Sequence, residues 1–332
     1  MPLLIHSLSE LAPIILPTLE IAGCKTVTEI GSEGGGMTAL LLEFVKERGG
    51  WMTSIDPAPS QAVADLLNGT PFGILHRDVS LKALPLSPPT DAYLVDGDHN
   101  YFTVIQELLW IERLQKAGGK PFFAVLHDVG WPWAYRDLYY NPDLIPEAWR
   151  QPYTWERGVT LDEPAAIEGG FRGCGKWACA VQEGGEKNGV LKAVEDFVLS
   201  REGLQIGIVP AVFGLGIIYS GAAPWAPLLT EYLAPYHGSP LLAKLERNRL
   251  ENYLRVIQLE DKYLRPPTSQ PAKQSASQPV VLSLSQLAGR TGEAPMEQRA
   301  DGQSIIEGLD QSVDQGLGQI TDSSPEEVNH AN

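Results

Sequence analysis

Two short runs carry side chains suited to proton transfer or to a hard cation. They are Asp96-Gly97-Asp98-His99-Asn100-Tyr101 and Leu126-His127-Asp128. Each follows an apolar segment of strand type, over 91–96 and 121–126. An imidazole titrates near neutrality and can take a proton from a hydroxyl group. Carboxylates supply the oxygen ligands that hard divalent cations prefer, so adjacent strand ends would bring Asp96 and Asp128 around one ion. The plainer alternative is that these acids cap helix N-termini, Asp98 above all, because a helix is expected from Tyr101. His76 is expected at a packed strand edge, and His6 and His237 at the surface.

A third run is Thr28-Glu29-Ile30-Gly31-Ser32-Glu33-Gly34-Gly35-Gly36. Glycines after a strand allow a tight turn and let a ligand approach the backbone. Asp56, at the end of the next strand, is placed to accept both hydroxyl protons of a ribose, and Asp78, past the third, an adenine amine. A dinucleotide fingerprint wants glycine where Glu33 stands, and an acid facing a pyrophosphate would be repulsive. Glu29 and Glu33 instead suit a cationic ligand such as the sulfonium and amino group of S-adenosylmethionine, in preference to NAD.

The elements that must position these residues alternate. Ser7 and Glu10 suggest a capping box opening a helix to about residue 22. Strands are expected over 25–30, 51–56, 73–76, 91–96 and 121–126, with helices over 37–48, 61–67 and 101–117 between them. A long irregular stretch, 130–186, precedes a helix over 188–201 and strands near 204–209 and 215–220. This order specifies an α/β fold with a doubly wound, mostly parallel sheet. A charge-laced amphipathic helix follows over 241–264 (Leu242, Leu245, Leu250, Leu254, Ile257), read as a packing or homo-oligomerisation element.

The chain has 332 residues and a formal charge of −16, from 25 Lys+Arg against 41 Asp+Glu. So acidic a surface argues against nucleic acid, whose phosphates need clustered Lys and Arg. The segment 266–332 contains no Phe, Trp or Tyr and carries nine acids against three bases. Such a composition cannot offset the entropy of ordering, so a disordered acidic tail is expected there, with 280–287 the apolar piece that would dock. Three cysteines lack zinc-ligand spacing. No run has the roughly 20 apolar residues of a membrane span. No signal-peptide pattern opens the sequence, and a cytoplasmic location is expected.

Taken together, Glu29-Ile30-Gly31-x-x-Gly34-Gly35, Asp56, Asp96-Gly97-Asp98-His99-x-Tyr101 and His127-Asp128 resemble a class I S-adenosylmethionine-dependent methyltransferase of the methyltransferase 24 type. That group is similar to metal-dependent sugar O-methyltransferases and to cephalosporin-hydroxylase-like proteins. The resemblance covers about residues 20–220 and implies a seven-stranded sheet. It implies cofactor contacts from Glu29, Gly31, Gly34 and Gly35, from Asp56 to the ribose and from Asp78 to the adenine edge, with Asp96 also at the cofactor site. It implies Asp96 and Asp128 as ligands of Mg2+ or another divalent metal, and His99 as general base. Position 127 departs from the pattern, since those relatives commonly carry Glu. His127 therefore stands as a metal ligand, as the base itself, or as the sign of a site without magnesium.

The sequence divides accordingly into a catalytic domain (1–225) with a lid insertion (130–186), a helical region (226–265) and the tail (266–332). In the lid, Trp131, Arg136, Asp137 and Tyr140 are the candidate acceptor-binding residues, since flat rings and polar groups can stack on and bond a sugar. The bland reading of that stretch is an aromatic-packed loop. A glycan or other small hydroxylated acceptor is suggested by the resemblance. The competing functions are an NAD(P)-dependent oxidoreductase and a non-catalytic adaptor using the helix at 241–264.

Overall fold

Apolar residues alternate along the central strands, and the two sets they define are buried on opposite faces of one sheet. The computed structural model describes residues 4–263; the expected disordered tail lies outside the described residues. In chain order the elements are α1 (Ala12–Ile21), β1 (Thr26–Ile30), α2 (Gly36–Glu47), β2 (Trp51–Ile55), α3 (Gln61–Asn68), β3 (Gly73–His76) and a short α4 (Ser80–Ala83). Then come β4 (Ala92–Val95), α5 (Tyr101–Ala117), β5 (Phe123–His127), β6 (Leu138–Tyr139), β7 (Tyr153–Thr154) and β8 (Ala178–Ala180). The series ends with α6 (Val190–Leu199), β9 (Leu204–Val209), β10 (Leu215–Ser220), α7 (Ala226–Leu233) and α8 (Pro240–Tyr263).

The main sheet has seven strands in the order β3-β2-β1-β4-β5-β10-β9. Strands β1 to β5 pair in parallel, whereas β10 runs antiparallel to both β5 and β9. The expected doubly wound, mostly parallel sheet is therefore what the chain forms. The period-2 pattern sorts the core. Leu94, Phe123, Val125 and Ile217 pack with Ile15 of α1, Leu41 of α2 and Leu229 of α7. Tyr93, Ala124, Leu126 and Ile218 face the other way, against Val104 and Leu108 of α5 and Phe197 of α6. Full burial of each such side chain is worth about 1.5–3 kcal/mol.

Local chemistry sets the helix starts. Ser60 Oγ accepts the Val63 N–H at 3.2 Å and Asn100 Oδ1 accepts the Thr103 N–H at 2.8 Å. The cap of α5 is thus Asn100, while Asp98 accepts from the Thr103 hydroxyl. Ser7 caps a 3-10 turn over Leu8–Leu11 that leads into α1, taking the Ser9 N–H.

The stretch 130–186 is more ordered than its composition suggests. Strands β6, β8 and β7 form a small antiparallel sheet. Its strands are only two or three residues long, too short for a period-2 pattern to show in the sequence. No disulfide links the three cysteines. Among the described residues no helix is long and apolar enough to cross a membrane.

Candidate active site

The carboxyl ends of β2, β1, β4 and β5 lie side by side and carry most of the residues singled out from sequence, Asp78 and the four lid candidates lying outside them. This is the edge of an open α/β sheet where ligands bind. Gly31 leaves β1 at φ +84, and a Cβ there would stand 2.2 Å from the Asp96 carbonyl oxygen. Only glycine lets the two strand ends approach so closely. Gly35, at φ +86, opens α2, whereas a Cβ on Gly34 would meet nothing within 4 Å. Glu33, exposed at the turn's tip, also has positive φ (42).

Glu29 takes a different part from the one its charge suggests. It is buried beneath α2, where its Oε2 accepts from Thr38 Oγ1 at 2.7 Å and Ser54 Oγ at 3.1 Å. Burial pushes its pKa up to about 8, tempered by those two hydroxyls. Through these two bonds it also braces the turn against α2 and β2. Asp56 likewise ties two turns together: Oδ2 accepts from Ser32 N at 2.9 Å and Ser32 Oγ at 2.8 Å, and Oδ1 from Ala58 N at 2.8 Å. Asp78 is exposed beyond β3, accepting the Val79 N–H and lying 3.9 Å from Lys82 Nζ.

At the ends of β4 and β5 the two motifs meet. Asp96, His99 and Asp128 each offer one ligand atom, and these atoms lie within 4.8 Å of one another. His99 Nδ1 is 3.2 Å from Asp128 Oδ2. Asp128, at φ 60, is held below the usual carboxylate range: burial would raise it, but the facing His127 and His99 lower it. Two carboxylates and an imidazole converging on one point fit a divalent cation.

His127 does not fit that set. Its Nε2 is 2.8 Å from the Val212 carbonyl oxygen, and its Nδ1 is 3.1 Å from Asp96 Oδ1 and 3.3 Å from Asp128 Oδ2. A carbonyl only accepts, and so does an ionised carboxylate, so both ring nitrogens carry protons. Burial alone would lower its pKa, yet Asp128 and Asp96 raise it well above the ordinary value. An imidazolium with both N–H groups engaged has no lone pair for a metal and none for a substrate proton. In this arrangement His127 bridges the two carboxylates, whereas His99 is the imidazole that converges with Asp96 and Asp128.

The lid candidates divide. Tyr140 is half exposed, with its ring 6.0 Å from that of His99, and its hydroxyl is within electrostatic reach of Asp128, Asp96, Asp98 and Glu33. Trp131 is half-buried among Phe171 and Phe213, its Nε1 donating to the Thr160 carbonyl at 3.2 Å. Arg136 and Asp137 are fully buried. Arg136 donates to the carbonyls of Ala180 at 2.7 Å and Pro164 at 2.6 Å. Asp137 accepts from Tyr101 N at 2.8 Å, Gly189 N at 2.6 Å and Tyr139 Oη at 2.7 Å. These two are corrected from acceptor-binding to structural, since neither has a polar group left facing a ligand.

Sequence reasoning missed the turn at 211–214. Val212 and Phe213 both have positive φ, 50 and 63, and the Val212 carbonyl completes the setting of His127. No local pattern announces this contact, which joins positions 85 residues apart.

A family model described as a methyltransferase domain, methyltransferase 24, matches residues 28–129. That segment runs from β1 through Asp128, the part of the chain that builds the strand-end site. No curated protein matches the chain. Among solved structures, the O-methyltransferase from Bacillus cereus in complex with SAH is 12% identical, with 66% of this chain and 84% of that one covered at a TM-score of 0.38. The O-methyltransferase TomG from Streptomyces achromogenes, in complex with SAM, is 13% identical over 65% of this chain and 82% of its own, at 0.38. The SAH-bound methyltransferase PaMTH1 from Podospora anserina is 11% identical over 63% and 77%, at 0.37. The family match falls on the strand-end site: residues 28–129, which match the methyltransferase 24 domain, form strands β1 to β5 of the seven-stranded, mostly parallel sheet.

Proposed function

We propose that the protein is an S-adenosylmethionine-dependent O-methyltransferase acting on a hydroxyl of a small polar acceptor, a sugar or glycan being the class best suited. The observation that carries this reading is the His99–Asp128 pair beneath Tyr140, at the strand ends next to the glycine turn. Gly34, beside open space, leaves the backbone free for the methionine end of the cofactor, with Gly31 and Gly35 shaping the turn that carries it, while Asp56 reaches the ribose and Asp78 the adenine edge. Methyl transfer is an in-line displacement, so much of the rate comes from positioning. A sugar hydroxyl must also lose its proton. His99, whose Nδ1 lies 3.2 Å from Asp128 Oδ2, would take that proton on Nε2 in the manner of other oriented imidazole bases.

A second reading of His99 is favoured by the convergence of its ring with Asp96 and Asp128. There the three side chains hold a divalent cation, which when bound lowers the pKa of a coordinated hydroxyl. Activity that survives EDTA retains His99 as base; activity lost and restored by Mn2+ or Mg2+ makes it a ligand. The competing oxidoreductase is disfavoured by Glu33 at the turn, and the adaptor by the assembled acid–imidazole cluster. Self-association, if it uses α8, would draw on the exposed Leu241, Leu245, Leu259 and Tyr263. A cytoplasmic setting agrees with a count of three cysteines without zinc-ligand spacing.

The test is calorimetry with S-adenosylhomocysteine, followed by methyl-donor turnover on a panel of glycans and small polyols with mass analysis of products. Micromolar binding is expected. No binding, with NADH bound instead, would defeat the reading.

A further inference from the structure

We infer that Glu246, on α8 and far in sequence from the domain at 28–129, is a positioning residue for the strand-end site. The inference rests on the reading of Asp96, His99 and Asp128 as the reacting cluster. The link runs through the turn at 211–214. Val212 and Phe213 occupy the left-handed region, which a β-branched or bulky residue adopts only when its surroundings hold it there.

What holds it is visible on three sides. Glu246 Oε1 accepts the Phe213 N–H at 2.9 Å. The Gly130 N–H donates to the Phe213 carbonyl at 2.6 Å, so the turn sits directly on the backbone that follows Asp128. A Cβ on Gly214 would stand 2.4 Å from Gly130 N, so the contact is close-packed backbone on backbone. Third, the Val212 carbonyl receives the Nε2–H of His127.

Glu246 is itself fixed. Arg249 grips both its oxygens, Nε to Oε2 at 2.7 Å and Nη2 to Oε1 at 2.6 Å, and this two-point geometry sets direction as well as charge. The same guanidinium donates from Nη1 to the Ile5 carbonyl at 2.7 Å and lies 4.9 Å from the centre of the Phe213 ring. Helix α8 and the N-terminal segment thus pin the turn, the turn orients His127, and His127 holds Asp96 and Asp128. Glu246 acts through these groups and does not touch the reacting atoms.

The experiment uses the full chain labelled with 15N-histidine and reads the ring resonances. His127→Asn identifies the His127 signals by their disappearance. In the wild type the His127 Nε2–H is expected to exchange slowly with solvent. Glu246→Ala should make that exchange about tenfold faster or more. Glu246→Gln should restore slow exchange, because its amide oxygen still accepts the Phe213 N–H. Should Glu246→Ala not fold, Arg249→Met carries the test, since the carboxylate then loses its orientation and the exchange quickens. S-adenosylhomocysteine calorimetry on the wild type separates the two readings: absent binding defeats the proposed function and leaves this inference intact. Exchange unchanged in Glu246→Ala and Arg249→Met, or a rapidly exchanging Nε2–H in the wild type, overturns the inference.

Discussion

His99 and His127 address the same oxygen: their Nδ1 atoms lie 3.2 Å and 3.3 Å from Asp128 Oδ2. The two rings nevertheless differ in what remains. His127 spends its second nitrogen on the Val212 carbonyl, whereas His99 sits beside Tyr140 with its other nitrogen uncommitted to such a partner. One imidazole is engaged at both nitrogens, and the other is the one to which the proposed function gives the role of base or ligand.

His99→Gln is therefore expected to cut turnover by about 10²–10⁴, the usual worth of a positioned base, with S-adenosylhomocysteine affinity within about twofold of wild type. Steady-state kinetics beside calorimetry checks both halves. Wild-type turnover in the variant would remove His99 from the chemistry.

The glycine turn separates fold from ligand. Gly31→Ala places a methyl 2.2 Å from the Asp96 carbonyl oxygen at positive φ, and should cost about 3 kcal/mol or more of stability. Gly34→Ala meets open space. It should leave Tm unchanged and weaken S-adenosylhomocysteine binding by crowding the backbone that the cofactor approaches. Thermal melts of both variants with and without ligand make the comparison. Equal loss of Tm in both would refute it.

Much of this was legible because it is local. Alternating apolar residues announce strands, and acids or glycines directly after them announce strand ends, so Gly31, Asp56, Asp96 and Asp128 fall on one edge from sequence alone. What sequence misjudged was the state of buried groups. Glu29 and Arg136 look like charges aimed at a ligand until Thr38, Ser54 and the Ala180 and Pro164 carbonyls are seen around them. Val212 and Glu246 were invisible for another reason: their contacts span 85 and 33 residues and follow no period.

Arg136 supplies a direct check on that misjudgement. Arg136→Met would take its donor from the buried Ala180 carbonyl and one of two donors from the Pro164 carbonyl, which keeps the Glu183 N–H, at about 1–3 kcal/mol in total. The denaturant midpoint should fall accordingly, while cofactor affinity in the folded fraction stays as in wild type. A variant as stable as wild type but with a raised acceptor KM would return Arg136 to substrate binding.

Stability should also fall as pH rises, and Glu107 is a main reason. It is fully buried on α5 with neither carboxyl oxygen hydrogen-bonded, and burial pushes its pKa from the ordinary 4.5 up to about 8. Ser80, close enough to temper this, does not reach hydrogen-bonding geometry. The unfolded chain ionises the group near 4.5, while the folded chain keeps its proton to about 8. Between those values the folded state binds more protons, and each pH unit removes up to about 1.4 kcal/mol. Glu29, pushed up to about 8, and Asp137, pushed up to about 6, both chiefly by burial, act in the same direction. Urea unfolding at pH 5.5 and 8 should therefore give the higher stability at pH 5.5. Glu107→Gln, neutral at both values, should shrink that difference by roughly 2 kcal/mol or more. A difference of the same size in the variant would mean that Glu107 is ionised in the folded protein, which an unbonded buried carboxylate does not sustain.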